Sequence, residues 1–167
     1  ALPNAPAMEQ SERIKVSAES ASASLVLLEN DGVLPLAGAS ASLLGPGADS
    51  LPALCGPWTR TWQGDDPATY PESWQTLRQA WEGRRVSAAQ ALRPNGAVQS
   101  AESELVILAL NETPTVEKPG DIVDLRHDNQ DLGRTLVESG KRVVLLLLGD
   151  RPRVLDSWVD DCAAVVW

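Results

Sequence analysis

Three continuous apolar runs constrain the fold of this chain more than any other feature of its sequence. They are LVILAL at 105–110, VVLLLL at 143–148 and AAVVW at 163–167. A strand with one solvated face alternates apolar and polar residues, whereas a strand covered on both faces is apolar throughout. The runs therefore predict strands that are buried on both sides, as in a parallel sheet.

Segments with helical periodicity separate the predicted strands. The apolar spacing predicts helices over 11–30, 71–81, 129–139 and 154–159. Strands are predicted at 41–44, 85–89, 105–110, 142–148 and 163–167, and a long loop at 46–72. Because strands alternate with helices, we expect an α/β fold. It would be an open, mostly parallel sheet with helices on both faces, a three-layer α/β/α sandwich.

The domain organisation follows from the positions of these elements. Residues 1–10 are expected to be a lead-in, and residues 11–167 to form one domain with a sizeable core. The sequence ends with an apolar run that is not followed by another element. We therefore expect a domain that is incomplete at its C-terminus and belongs to a longer polypeptide.

Charge and composition exclude several classes of function. The chain carries 23 acidic and 14 basic residues, a formal net charge of −9, which argues against a nucleic-acid partner. The longest apolar run is too short to cross a bilayer. Cys55 and Cys162 offer neither zinc spacing nor a disulfide framework, and His127 is the only histidine. We therefore expect no metal and no cofactor, and GPGAD at 45–49 is interpreted as a turn because it lacks a phosphate-binding fingerprint.

A loop rich in tryptophan, LCGPWTRTWQGDD at 54–66, is a candidate binding site. Trp58 and Trp62 lie four residues apart among Gly, Pro and Asp. Indole faces suit sugar rings, and Arg60, with the neighbouring Gln and Asp side chains, offers partners for hydroxyl groups. The alternative is that both indoles fill the core, and composition does not decide between the two.

The segment TVEKPGD at 115–121 places a glutamate, Glu117, shortly after the predicted strand at 105–110. Most loop glutamates are solvated and inert, and a carboxylate becomes a general acid only where its environment raises its pKa. A glycosidase also needs two carboxylates at a defined separation. Glu117 alone therefore does not establish catalysis.

Five motifs in this order resemble the second domain of glycoside hydrolase family 3, in the branch of exo-acting β-glucan glucohydrolases and β-glucosidases. They are AESASASLVLLENDGVLPL (18–36), LLGPGAD (43–49), CGPWTRTWQGD (55–65), ELVILALNETPTVEKPGD (104–121) and SGKRVVLLLLGDRPRVL (139–155). The match covers roughly residues 11–167. The order and spacing of the five motifs are more specific than any one of them.

The resemblance implies a retaining glycosidase built from two domains. A barrel domain, N-terminal in the same polypeptide, would supply an Asp nucleophile, and this α/β sandwich would supply the general acid/base. The pattern E-x-x-G-D of the branch matches Glu117, Gly120 and Asp121. The Trp of the W-Q-G motif, Trp62, would stack on the sugar at the leaving-group subsite with Trp58 supporting it. The substrate would be a β-glucan oligosaccharide or a β-glucoside, and a periplasmic or secreted location is implied.

Several departures from the family pattern bear on this expectation. The nucleophile domain is absent from the sequence, so we expect the isolated chain to be inactive. Asn111 and Glu112 stand where the family often has Gly-Glu, and Cys162 stands where small residues are common. A non-catalytic carbohydrate-binding or scaffold domain of the same fold is the alternative. A nucleotide-binding domain is disfavoured by the missing phosphate fingerprints.

Overall fold

A computed structural model describes residues 8–83, 103–114, 116, 125 and 127–167. The α-helices are α1 (Gln10–Ser24), α2 (Leu51–Cys55), α3 (Leu77–Gly83) and α4 (His127–Glu138). The strands are β1 (Leu27–Asn30), β2 (Ser42–Leu44), β3 (Leu105–Asn111), β4 (Arg142–Leu148) and β5 (Ala164–Val166). Three 3₁₀ turns span Pro46–Asp49, Pro67–Thr69 and Ser157–Asp161.

The strands form one mostly parallel sheet in the order β1-β5-β4-β3-β2. β2, β3, β4 and β5 are mutually parallel, and β1 is the only strand of the described residues that runs antiparallel, against β5. The longest pairing joins β3 to β4, from Leu105 opposite Arg142 to Asn111 opposite Leu148. The predicted strands at 41–44, 105–110, 142–148 and 163–167 are therefore confirmed, with ends shifted by a residue or two.

Two apolar clusters cover the two faces of the sheet, as the continuous apolar runs predict. On one face Leu108 and Leu145 pack with Leu136 of α4 and with Trp158. On the other face Ile107 packs in a cluster that includes Ala48 and, partly buried, the α3 side chains Leu77 and Trp81. The expected α/β/α arrangement is confirmed.

The turn after β2 depends on two glycines that lie against the neighbouring strand. A Cβ at Gly45, whose φ is +97°, would lie 2.3 Å from the carbonyl oxygen of Ala109. At Gly47 the same oxygen would be 3.0 Å away. A side chain at either position would push the turn away from β3. The GPGAD segment is thus a tight turn, as interpreted from the sequence.

The predicted helix over 11–30 is wrong after Ser24. α1 ends at Ser24, and residues 27–30 form the antiparallel edge strand β1. Backbone bonds between Val26 and Trp167, of 2.6 and 2.8 Å, extend this pairing. The chain leaves the helix because pairing with β5 satisfies its backbone groups, a long-range interaction that helical periodicity does not reveal.

Two other predicted elements also differ from the structure. The segment 71–81 is helical only from Leu77, so Trp74 lies in a turn before α3. The predicted helix over 154–159 is a 3₁₀ turn, Ser157–Asp161, which buries Trp158. The predicted strand at 85–89 lies outside the described residues. Within the described part of the chain, no helix combines the length and the apolar character needed to span a membrane.

Candidate functional site

The candidate site lies at the edge of the sheet where the parallel strands β2, β3 and β4 end, which we call the carboxyl edge. In open parallel sheets this edge is where ligands bind. The turn Pro46–Asp49 follows β2, residues 112–114 follow β3 and Gly149 follows β4. A cleft of about 230 Å³ at this edge is lined by Cys55, Gly56, Glu112, Gly149 and several neighbours. The edge is therefore open to a ligand.

Residues 55–66, which we call the tryptophan loop, stand beside this cleft and are held by their own hydrogen bonds. The amide of Trp58 donates to the carbonyl of Trp62 at 3.2 Å. The Thr59 hydroxyl donates to the Cys55 carbonyl at 2.6 Å. Gly64, with φ +73°, packs so closely that a Cβ there would lie 2.5 Å from the Gly56 oxygen. These contacts give the loop a defined shape.

Trp58 and Trp62 are the most prominent exposed side chains of the loop. Their exposed fractions are 71% and 48%, so neither fills the core. Their ring centroids are 6.3 Å apart with the planes at 60°, an edge-to-face pair. Trp58 has a φ of +63°, a left-handed conformation that is unusual for a bulky residue and that often marks functional sites. The two indoles form an exposed aromatic surface, which we call the tryptophan corner.

Tyr70, Trp74 and Arg60 form the base of the tryptophan loop. The Tyr70 hydroxyl is buried and donates to the Gly64 carbonyl at 2.8 Å. Burial raises the pKa of the Tyr70 phenol, so it remains a donor. The Tyr70 and Trp74 rings lie 6.0 Å apart. Arg60 donates from Nε to the Thr69 carbonyl at 2.9 Å, and its guanidinium lies 6.0 Å from the centroid of Trp74.

Gln63 joins the tryptophan loop to the chain that leaves β3. Its Oε1 accepts from the amide of Val116 at 2.7 Å, and its Nε2 donates to the carbonyl of the same residue at 3.4 Å. Both backbone groups of Val116 are therefore bonded to one side chain from a segment 53 residues earlier. The sequence suggested Gln63 only as a partner for ligand hydroxyls. No local pattern marks this long-range contact.

The predicted site residues are distributed unevenly over the described structure. Trp58, Arg60 and Trp62 lie together on the tryptophan loop. Glu117, the predicted acid/base, lies outside the described residues, as do Gly120 and Asp121. The residue before it, Val116, is the one bonded to Gln63. Glu112, the other carboxylate after β3, is 8% exposed and lines the cleft.

The described residues contain no group of three or more His, Cys, Asp and Glu side chains suited to a metal ion. Cys55 and Cys162 are free thiols. Burial raises the pKa of Cys55, and burial, with the charges of Glu29 and Asp161, raises the pKa of Cys162 to about 12. Both thiols are therefore protonated at neutral pH, and neither is activated as a nucleophile.

Comparisons with known proteins give one consistent result. The model of the glycosyl hydrolase family 3 C-terminal domain matches residues 25–167. A lysosomal beta glucosidase from Dictyostelium discoideum is 33% identical, and the match covers 91% of this chain but 21% of that protein. The chain thus spans about a fifth of the length of this relative.

Solved structures agree with the fold. The exo-1,3/1,4-beta-glucanase from a Pseudoalteromonas species superimposes with a TM-score of 0.78 at 24% identity, covering 95% of this chain and 21% of that chain. The beta-glucosidase from Listeria innocua in complex with glucose gives a TM-score of 0.69 at 25% identity, covering 96% and 23%.

Proposed function

The chain belongs to glycoside hydrolase family 3, and on that premise we propose that it is the acid/base domain of a retaining β-glucosidase or exo-β-glucanase. Glu117 would be the general acid/base, and Trp62, with Trp58 and Arg60 beside it, would bind the sugar. The observation that supports this proposal is the contact of Gln63 with Val116, because it ties the exposed tryptophan corner to the residue that precedes Glu117.

The reaction takes place in two steps. An Asp carboxylate of a barrel domain attacks the anomeric carbon, and the bond from that carbon to the glycosidic oxygen breaks while Glu117 gives its proton to the leaving oxygen. In the second step a water molecule gives its proton to the Glu117 carboxylate and attacks the same carbon, which releases the Asp. Two displacements at one carbon retain the β-configuration.

The tryptophan corner would bind the sugar on the leaving-group side. The axial C–H groups of a β-glucosyl ring present an apolar face, and an exposed indole offers a flat apolar surface of similar size. Trp62 is half exposed and packs edge-to-face with Trp58, a contact that restrains its orientation before a ligand arrives. A corner that is already in place reduces the entropy lost on binding.

The barrel domain is an essential part of this proposal. Retaining hydrolysis needs two carboxyl groups about 5–5.5 Å apart, and this domain would provide only one of them. The Dictyostelium discoideum relative is far longer than this chain, which covers 21% of it, so a second domain fits within such a protein. The active site would then lie between the barrel and the carboxyl edge.

The test is the substitution Glu117→Ala in the full-length polypeptide that carries this domain. Loss of general acid assistance costs roughly 10²–10⁴-fold where the leaving group is poor. Hydrolysis of β-linked glucose disaccharides should therefore fall by that order, whereas the first step with a dinitrophenyl β-glucoside should be spared. Added azide should restore turnover of the activated substrate and yield a β-glucosyl azide, since azide needs no general base.

Two further glutamates sharpen the test. Glu104 is exposed and lies just before β3, at the end of the sheet opposite the carboxyl edge, so Glu104→Ala should leave both substrates unaffected. Glu112→Ala examines the other carboxylate that follows β3. If Glu117→Ala reduces all substrates equally and azide has no effect, Glu117 is not the acid/base and Glu112 becomes the candidate.

The second candidate function is carbohydrate binding without catalysis, and the exposure of Trp58 and Trp62 favours it independently of Glu117. It predicts that Trp62→Ala abolishes binding of β-glucan oligosaccharides, whereas Glu117→Ala changes no activity of the full-length polypeptide. Hydrolysis of a β-linked glucose disaccharide by Glu117→Ala distinguishes the two functions, because it falls only if Glu117 is the acid/base. Calorimetric titration with a β-glucan oligosaccharide checks that this variant still binds.

A further inference from the structure

We infer that Gln63 is a positioning residue that fixes Val116, and so the start of the segment carrying the acid/base, relative to the tryptophan corner, an inference that rests on the function proposed above. Gln63 follows Trp62 directly in the chain, and its side-chain amide bonds both backbone groups of Val116, the residue before Glu117. One side chain thus links the tryptophan corner, the proposed sugar-binding surface, to the segment of the proposed proton donor.

The chemistry of the side chain explains why a glutamine suits this position. A primary amide has one acceptor and one donor group, which match the N–H and the C=O of one peptide residue. The acceptor bond, at 2.7 Å, is the shorter of the two, and the donor bond is 3.4 Å. A glutamate keeps the acceptor and loses the donor, whereas a leucine loses both. Gln63→Glu therefore removes one of the two hydrogen bonds to Val116, and Gln63→Leu removes both.

The residues around Gln63 make it a firm support. Gly64, the next residue, is fixed from below by the Tyr70 hydroxyl at 2.8 Å and is packed against Gly56. Gln63 is partly buried, which limits the competition of water for its amide. The position of Val116 is therefore tied to the hydrogen-bonded tryptophan loop.

The other end of the same segment is also held by contacts of the described residues. Leu125 is 3% exposed, and its amide donates to the carbonyl of Val154 at 3.0 Å. Asn129 of α4 donates from its side chain to the Asn111 carbonyl at 2.8 Å, which joins α4 to the end of β3. Residues 117–124 thus connect two points that described contacts fix. Of these contacts, only the one at Val116 also involves the tryptophan loop, through Gln63.

Positioning has a kinetic signature that differs from general destabilisation. A displaced proton donor weakens acid assistance, and a misplacement of about 1 Å costs on the order of 10²-fold in rate. The loss should appear in kcat on substrates with poor leaving groups and should be small on activated ones. If the substitution instead displaced the tryptophan corner, KM for oligosaccharides would rise. A merely unstable domain would lose all activities in parallel.

The experiment is a double-mutant cycle in the full-length polypeptide, with Gln63→Leu, Gln63→Glu and Glu117→Ala. Gln63→Leu should lower kcat on a β-linked glucose disaccharide on the order of 10–100-fold, and Gln63→Glu should lower it less because it keeps the shorter bond. In the Glu117→Ala background, the residual turnover of the same disaccharide should change by less than about 2-fold when Gln63→Leu is added.

Gln79→Leu is the matched control. The Gln79 side chain also accepts from a backbone amide, that of Thr76 at 2.9 Å, but it serves the start of α3. This variant should leave the ratio of disaccharide to aryl-glucoside activity unchanged. Thermal unfolding of every variant shows whether a lost activity reflects lost folding, and Gln63→Glu keeps the test informative if Gln63→Leu does not fold.

The outcomes separate the two proposals. If Glu117→Ala shows no dependence on the leaving group and no azide rescue, the proposed function fails whatever Gln63 does. If Glu117→Ala behaves as expected but the Gln63 variants retain disaccharide activity, the positioning role is wrong. The positioning role is also wrong if Gln63→Leu lowers disaccharide turnover as strongly in the Glu117→Ala background as in the wild type.

Discussion

Gly133 of α4 faces the ring of Trp158, and Gly133→Ala is a sharp test of how α4 packs on the sheet. Alanine in place of glycine inside a helix normally stabilises it by about 1 kcal/mol. Here a Cβ at position 133 would lie 2.4 Å from Cη2 of Trp158 and 2.6 Å from two further ring carbons. These separations are far below van der Waals contact, so either the ring or the helix must move.

Neither the Trp158 ring nor helix α4 can move without breaking buried contacts. Trp158 is 4% exposed, and its Nε1 donates to Oε1 of Gln130 at 2.9 Å. Gln130 belongs to α4, is 4% exposed and also accepts from the Asp156 amide at 3.0 Å. Breaking such a buried bond costs about 1–3 kcal/mol, and overpacking a core costs about the same. After the gain in helix propensity of about 1 kcal/mol, we expect Gly133→Ala to lower the free energy of unfolding by about 1–5 kcal/mol.

Urea unfolding of the chain, followed by circular dichroism, measures this difference. We expect a lower midpoint with an unchanged slope, and a melting temperature lower by roughly 2–4 °C per kcal/mol for a chain of this size. Gly83→Ala is the matched control, because a Cβ at Gly83 meets nothing within 4 Å. Trp158→Leu should cost less in the Gly133→Ala background than in the wild type, since the clash is gone. A Gly133→Ala variant as stable as the wild type would refute the packing.

Three further predictions concern activity and the thiols. The isolated 167-residue chain should not hydrolyse aryl β-glucosides, and purified turnover that disappears in Glu117→Ala would contradict this. In the full-length polypeptide, Trp62→Ala should raise KM for β-glucan oligosaccharides about 10-fold, because an aromatic contact is worth about 1 kcal/mol beyond its buried area, whereas Trp74→Ala should act mainly on stability. Cys162, whose pKa is raised from 9.0 to about 12, should resist thiol reagents in the native state. Its neutral thiol favours folding below pH 9.0, and this contribution should be lost as the pH rises towards 12, which pH-dependent unfolding measures.

The parts of the fold that the sequence predicted are those in which burial acts on every residue. β3 is buried along nearly its whole length, so its composition had to be apolar throughout. α4 was predicted because Leu132, Leu136 and Val137 pack inward, as their spacing indicates. Gly140 follows with a φ of +79°, a left-handed conformation that ends this helix. Local pattern and tertiary environment agree at these elements.

The parts that the sequence did not predict depend on distant partners. Residues 27–30 form an exposed edge strand, so no burial pattern distinguished them from a continuing helix. Gln63 is a second case, because its partner at Val116 is 53 residues away. Trp158 is a third, since its indole is held by Gln130 in a turn that periodicity predicted as a helix. In each case a specific long-range contact decided the outcome.

The exposure of the tryptophan corner is best understood from what the chain does with its other indoles. Trp158 is only 4% exposed, so this fold is able to bury an indole almost completely. Burying one large side chain contributes roughly 1.5–3 kcal/mol, yet Trp58 remains 71% exposed and holds a left-handed backbone conformation that itself costs about 1–3 kcal/mol. Stability alone would not select this arrangement. The tryptophan loop is therefore organised to present the indoles outward, which is the arrangement expected where a ligand or a neighbouring domain covers them.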